Sequence, residues 1–381
     1  MKKFLFFVAL LSSLFATAQN DKYRGNKCFV SKKAVMQIIT KVNKTYQDLH
    51  PDHDLYYWRS AVYHIGNMAA FHTTQNPDFL KFSIGWAARN YWCGASGRDK
   101  TRWRYDCGFD LQYVLFGDNQ ACFQVYVDIF ETEGGTDSSK IARALEVMDY
   151  QIKTPQSDYW FWADASFMVM PLMPRLYAIT GDSLYLTKMY DYWRWTTNLL
   201  CDKDSTYLYY RDRNYIYPRH QTPSGKKDFW ARGNGWMFAA LAMVISQIPD
   251  TDSHRAEYIK YFVNMASSLK NCQQPEGHWT RSLLDGDYVP GYETSCTALF
   301  AFGLACGINS GVLERKQYAG TLQKAWKYLT EIALQDDNTV GYIQPVGERA
   351  QRGQTLSEAN YYDFGVGAYL LMLSEMYKMA K

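Results

Sequence analysis

From residue 33 to residue 379 the chain alternates between two kinds of helical segment, and this alternation limits its fold more than any other feature. Segments 33–48, 78–92, 138–153, 183–200, 253–270 and 315–334 are amphipathic at helical spacing. Segments 58–73, 118–131, 164–179, 233–247, 293–307 and 362–379 are apolar nearly all round. A helix of the first kind shows one face to water, and one of the second is enclosed by protein. Six of each, strictly alternating, imply an all-α fold: six helical hairpins closed into a ring, with the apolar helices inside. Two junctions repeat the pattern. "FHTTQNPDFL" (71–80) and "YAITGDSLYL" (177–186) each join an apolar segment to an amphipathic one through a small polar turn, as expected of a repeated unit that cannot bury its own face. Alternating strand patterns with hairpin turns are scarce.

The connections give the ring a direction. Those from inner to outer segments are short, roughly 74–77, 180–182 and 248–252. Those from outer to inner are long: 93–117, 154–163, 201–232, 271–292 and 335–361. Long structured loops in a compact domain usually carry function. Parallel inner helices would bring these loops, and all the inner N-termini, to one mouth.

Charged residues stand at the start of five inner segments: Asp118 in "GDNQ", Asp164 in "WADASFM", Arg232 in "ARGNGW", Glu293 in "GYETS" and Asp363 in "YYDFG". Any one acid taken alone reads as a helix cap, because the helix dipole favours negative charge at an N-terminus by about 0.3–1 kcal/mol. Asp164 reads otherwise. It follows Trp160, Phe161 and Trp162, precedes Phe167 and Met168, and is the only charge between Asp158 and Arg175. A carboxyl enclosed by aromatics has a raised pKa and can act as a general acid. Arg232 lies between Trp230 and Trp236. Its planar fork suits a carboxylate, while the two rings suit a sugar face or hold the guanidinium. Gly233 and Gly235 leave room for close approach. The mouth therefore reads as a site for an acidic sugar, with Trp162, Arg232, its flanking tryptophans, Glu293 and Asp363 as contacts.

Composition supports this class and removes others. The 381 residues are 47% hydrophobic and 17% aromatic, with 31 Tyr and 12 Trp. The net charge of +3 comes without a basic run, which argues against a nucleic-acid partner. "MKKFLFFVALLSSLFATA" has the lysines, short apolar stretch and small-residue end of an export signal, so residues 1–18 are expected to be removed and residues 19–381 to form one catalytic domain in the periplasm or outside the cell. No segment is long enough to span a membrane. The eight cysteines show no metal spacing, and Cys122, Cys296 and Cys306 sit in apolar runs as small hydrophobes. No metal or cofactor is expected.

"WADASFM", "FWARGNGW", "PGYETSCTALFAFGLACGINSG" and "YDFGVGAYLLMLSEM" resemble the unsaturated rhamnogalacturonyl hydrolases of glycoside hydrolase family 105, related to the family 88 unsaturated glucuronyl hydrolases. The likeness runs from about residue 55 to the C-terminus. It implies an (α/α)6 barrel, in agreement with the hairpin count. It also implies Asp164 as catalytic acid/base, Asp118 as the second catalytic aspartate, and Trp230, Arg232 and Trp236 as substrate-binding residues. Many members carry a binding histidine after an outer helix. Here that stretch is "YLYYRDRNY", so Arg211 or Asp212 stands in its place, with His220 as the other candidate. The implied substrates are lyase-generated oligosaccharides ending in a 4,5-unsaturated uronic acid, which the family opens by hydrating the enol ether. Two other readings are an inverting glycosidase on saturated glycans, using Asp164 and Glu293, and a non-catalytic glycan-binding protein.

Overall fold

The computed structural model describes residues 30–52 and 55–381, so the expected export signal lies outside the described residues. The outer helices are α1 (Lys32–Leu49), α3 (Pro77–Arg89), α6 (Ala142–Ile152), α9 (Leu184–Leu200), α11 (Arg255–Cys272) and α13 (Arg315–Tyr328). The inner helices are α2 (Trp58–Thr74), α4 with α5 (Gly117–Gln120, Cys122–Thr132), α7 with α8 (Ala165–Val169, Leu172–Thr180), α10 (Ala231–Gln247), α12 (Thr294–Asn309) and α14 (Asp363–Met379). Each inner helix packs on the next, and α14 closes the ring on α2. This is the expected (α/α)6 barrel. Among the described residues, extended pairing is limited to isolated bridges.

The two helix types differ as their patterns require. In α1, Ser31 accepts a hydrogen bond from Ala34 N and caps the helix, while Val35, Ile39, Val42 and Tyr46 line the buried face. Each aliphatic side chain so buried contributes roughly 1.5–3 kcal/mol. In α12 every residue from Thr294 to Ala305 is buried. The third inner helix is broken where Pro171 supplies no N–H between α7 and α8.

Ring closure depends on two glycines. A Cβ on Gly66 of α2 would lie 2.2 Å from Gly367 O, and one on Gly367 of α14 would lie 2.2 Å from Val62 O. The first and last inner helices therefore meet backbone to backbone, and any larger residue at either position would force the seam apart.

The short connections lie at one end of the ring and the long ones at the other. Both repeated junctions turn in the same way. Gln75 (φ 56°) and Gly181 (φ 73°) take left-handed conformations, and their amides return to Phe71 O and Tyr177 O at 2.7 and 2.8 Å. Among the described residues the seven cysteines are free. Cys122 and Cys296 are buried, and Cys306 is partly buried.

Candidate active site

At the end where the long loops gather, a cavity of about 630 Å³ opens among the inner N-termini. Asp118, Trp162, Asp164, Arg211, Trp230, Arg232 and Asp363 all line it. Six of these residues stand at or within three positions of an inner-helix start, and Arg211 reaches the cavity from the long loop before α10.

Cross-loop pairing aims the central residues. Trp162 bridges Asp212, and Ala163 N donates to Arg211 O at 2.8 Å, so the segment delivering Asp164 is laced to the one delivering Arg211. Trp230 bridges Ser282 in the same manner, and Ala231 N donates to Arg281 O at 2.9 Å.

The four acids separate into two kinds. Glu293 is a helix cap. It is fully buried, accepts from Ser295 N and Cys296 N, and also receives Gln344 N at 2.9 Å. With its oxygens engaged and no face on the cavity, it is not placed to touch substrate, contrary to the sequence reading. Asp164 is the opposite case. It precedes α7 yet makes no capping bond, and its Oδ2 is buried with no hydrogen-bond partner. Burial raises its pKa, against the opposing pull of Arg211 and Arg232. Asp118 also makes no capping bond and, among the described residues, accepts only from Tyr57 OH, at 3.2 Å. Burial and the neighbouring Asp164 charge push it up to about 7, against that hydrogen bond and Arg211. Asp363, at the start of α14, receives its neighbour Phe364 N and the Arg59 guanidinium, at 2.9 and 3.4 Å.

Arg232 is placed differently from expectation. Its guanidinium lies between the rings of Trp230 and Phe364, at 4.7 and 4.9 Å from their centroids. Its fork points into protein: Nη1 donates to Gln344 O (2.6 Å) and Nη2 to Pro345 O (2.8 Å). Trp230 Nε1 donates to Gln344 Oε1 at 2.9 Å. The arginine therefore fixes the 344–347 loop against the cavity wall and lends positive charge near Asp164. The fork that was expected to grip a ligand carboxylate is occupied. Trp236 is fully buried and does not line the cavity; it packs edge-on to Trp58 and against Phe167, one layer beneath. Gly235 makes room for Leu299 of α12, whereas Gly233 faces Trp230 and Asp164.

Arg211 is the cation placed beside Asp164. Its Nε is 3.6 Å from Asp164 Oδ2, and its Nη1 is 2.7 Å from Asp212 Oδ2. His220 does not line the cavity and is bonded to Asp228 at 2.8 Å, and Asp212 does not line it either, so of the three stand-ins only Arg211 does. Sequence reasoning missed Tyr57 and Arg59, which also line the cavity. They open the first inner helix, in "YYWRS", and the rule applied to the other five helix starts would have found them there. Among the described residues no group of three or more His, Cys, Asp or Glu side chains is placed to hold a metal ion.

A solved structure of a glycosyl hydrolase family 88 protein from Bacteroides vulgatus is 48% identical, superimposes with a TM-score of 0.89, and is covered over its whole length by 92% of this chain. A second, described as a polysaccharide lyase, is also 48% identical, with a TM-score of 0.88 over 91% of this chain and 97% of its own. An unsaturated 3S-rhamnoglycuronyl hydrolase from Formosa agariphila is 29% identical over 341 residues, 84% of either chain. Residues 30–380 match the family described as Glycosyl Hydrolase Family 88, and the chain belongs to that family of glycoside hydrolases.

Proposed function

We propose that this hydrolase removes a terminal 4,5-unsaturated uronic acid from lyase-generated oligosaccharides by hydrating its enol ether. The observation that carries the reading is the pair of cavity carboxyls with raised pKa, one of which, on Asp164, has an oxygen free of any partner. A protonated acid is what an alkene carbon requires, and an arginine-flanked cavity suits a uronate. Asp164 donates its proton to C4. The cation developing at C5 and the ring oxygen is stabilised by the resulting carboxylate. Water adds at C5 and its proton passes to Asp118. The hemiketal opens by breaking the bond from C5 to the ring oxygen, leaving a 5-keto group and a hemiacetal at C1, which then expels the remaining sugar. The inverting-glycosidase reading loses its second carboxylate, because Glu293 lies outside the cavity.

The test is optical. The C4=C5 bond is conjugated with the C6 carboxylate and absorbs ultraviolet light, so turnover of a lyase-made disaccharide is expected to bleach the absorbance as the reducing-end sugar appears. The same sugar without the alkene is expected to be inert. Turnover of saturated oligosaccharides with the alkene absorbance untouched would refute the reading. The relative described as a lyase makes a rise in absorbance on intact polysaccharide the outcome to look for as the second possibility.

The leader-like residues 1–18 support action in the periplasm or outside the cell. N-terminal sequencing of the exported protein is expected to begin near Gln19; retention of residues 1–18 on a cytoplasmic protein would refute this.

A further inference from the structure

Arg211 is surrounded by acids. Besides Asp164 and Asp212, its Nη1 has Glu348 Oε2 at 3.9 Å. One cation thus faces three acid groups before any acidic ligand arrives, one of which, Asp164, is the proton donor of the proposed reaction. A uronate approaching Arg211 adds a negative charge beside Asp212 and Glu348, and it is accommodated most readily if one of the three acid groups yields. Asp164 cannot leave, because it is buried at the start of α7. Asp212 cannot leave either: it is 6% exposed, and its Oδ1 caps the turn at 213–215 through Asn214 N. Glu348 differs from both. Its side chain is 57% exposed, and Tyr215 OH is its close hydrogen-bond partner, at 2.8 Å.

Glu348 also stands on a built support. It follows Val346 and Gly347, which line the cavity, and the root of this loop is held by Arg232 on Gln344 O and Pro345 O and by Glu293 on Gln344 N. The loop is therefore fixed at its root, and its tip carries a carboxylate to the rim beside Arg211. We propose that Glu348 is a resident carboxylate that occupies the anion position beside Arg211 in the empty enzyme and is displaced by the acid group of the incoming sugar. Its place makes it a specificity-determining residue. A neutral sugar gains nothing by displacing Glu348, whereas a uronate replaces one carboxylate with another and leaves the Arg211 charge balance unchanged. The inference rests on the reading of the cavity as a uronide site.

The test compares wild type with Glu348→Gln and Tyr215→Phe, and its first readout needs no turnover. Binding of sodium glucuronate is followed by tryptophan fluorescence at low ionic strength, with glucose as the neutral control. Removing a rim charge is expected to tighten glucuronate about two- to fivefold in Glu348→Gln, and less in Tyr215→Phe, with glucose unaffected. The gain is expected to fade in high salt, which screens exposed charges. In turnover of an unsaturated disaccharide the same variants are expected to lower KM without lowering kcat. Weaker or unchanged glucuronate binding in Glu348→Gln overturns the proposal, as does an equal shift for glucose, or no binding of glucuronate to any of the three proteins. Failure of wild type to bleach the disaccharide counts against the hydrolase reading, while the binding comparison still decides the role of Glu348.

Discussion

The barrel has charged clusters at both ends, and they are built on opposite plans. At the end of the short turns, Asp128 of α5 takes His72 Nε2 of α2 at 2.8 Å and Arg175 Nη2 of α8 at 3.2 Å, and Arg175 also binds Glu131. Burial would raise the Asp128 pKa, but His72 and Arg175 overcome it and the carboxyl titrates below its ordinary value. At the mouth, Arg211 and Arg232 also stand near Asp164, yet burial wins, and both Asp118 and Asp164 titrate above their ordinary values. The difference lies in geometry. Asp128 shares short contacts with two partners, whereas the Arg232 fork is occupied by backbone carbonyls and the Arg211 Nε stays 3.6 Å from Asp164. One end uses charge to tie helices together, and the other leaves acids underpaired, as the proposed proton transfer requires.

The largest expected break of this comparison is at the mouth. Asp164→Asn is nearly isosteric and removes the proposed proton donor, so kcat is expected to fall by about 10²–10⁴-fold while the circular dichroism spectrum is unchanged. Normal turnover in the purified variant would return Asp164 to a structural role.

Asp118→Asn is expected to reduce turnover severely and, unusually, to raise stability. The folded pKa of Asp118, about 7, lies above its ordinary 3.8, so the folded state holds this proton more tightly than the unfolded chain does. The resulting penalty is absent below about pH 3.8, grows through the interval up to 7, and is complete above it. Thermal melts are therefore expected to show a higher Tm for the variant at pH 8 and no gain at pH 4. Equal melting temperatures at pH 8 would mean that Asp118 is not strained by burial. In wild type, kcat/KM is expected to fall on the acid side of about pH 7, where Asp118 is protonated and cannot take the proton of water, and to fall again at alkaline pH as Asp164 loses the proton it donates.

Arg232→Lys keeps the charge and removes the fork. Charged hydrogen bonds are worth about 1.5–3 kcal/mol each, and loss of one of the two loop contacts is expected to lower Tm and cut kcat/KM by about ten- to a hundredfold. If binding weakens while Tm holds, the arginine grips substrate after all and the loop-anchoring role is wrong.

These residues also mark how far the sequence could be read. The ring, its direction and the gathering of Asp118, Asp164 and Asp363 at one mouth follow from helical periodicity and loop length, both local properties of the chain, whereas Arg211 was reached only through the family resemblance. What stayed hidden depends on partners distant in sequence. Glu293 and Asp164 look alike at helix starts, and the bonds to Ser295 N, Cys296 N and Gln344 N that make Glu293 a cap become visible only in three dimensions. The Arg232 fork is occupied by carbonyls more than 110 positions away, and Trp236 is turned into the layer beneath the cavity by its place on α10. Tyr57 and Arg59 were legible and were passed over, although Arg59 is a charge at an inner-helix start just as Arg232 is.

The smallest expected effect on catalysis, and the sharpest contrast, is at the far end of the barrel. Asp128→Asn leaves the cavity untouched, so kcat and KM are expected to match wild type. Stability is expected to fall by about 1–3 kcal/mol, because Arg175 and His72 lose a charged partner in a partly buried place. The pH dependence separates this from the Asp118 case. Asp128 titrates below its ordinary 3.8 in the folded state, so its contribution is present above that value and is lost as the pH falls through the folded pKa. His72 titrates above 6.5, chiefly because of its hydrogen bond to Asp128, so its share is complete below 6.5 and lost as the pH rises through the folded pKa. Both contributions are present together from about pH 4 to 6.5, and there the variant's Tm deficit is expected to be widest. On the alkaline side it is expected to shrink to the part that Arg175 supplies, since that guanidinium stays charged. Melts of both variants across this range should therefore diverge in sign at pH 8, with Asp118→Asn above wild type and Asp128→Asn below it. Identical pH profiles for the two would mean that the ends of the barrel are not built on opposite plans.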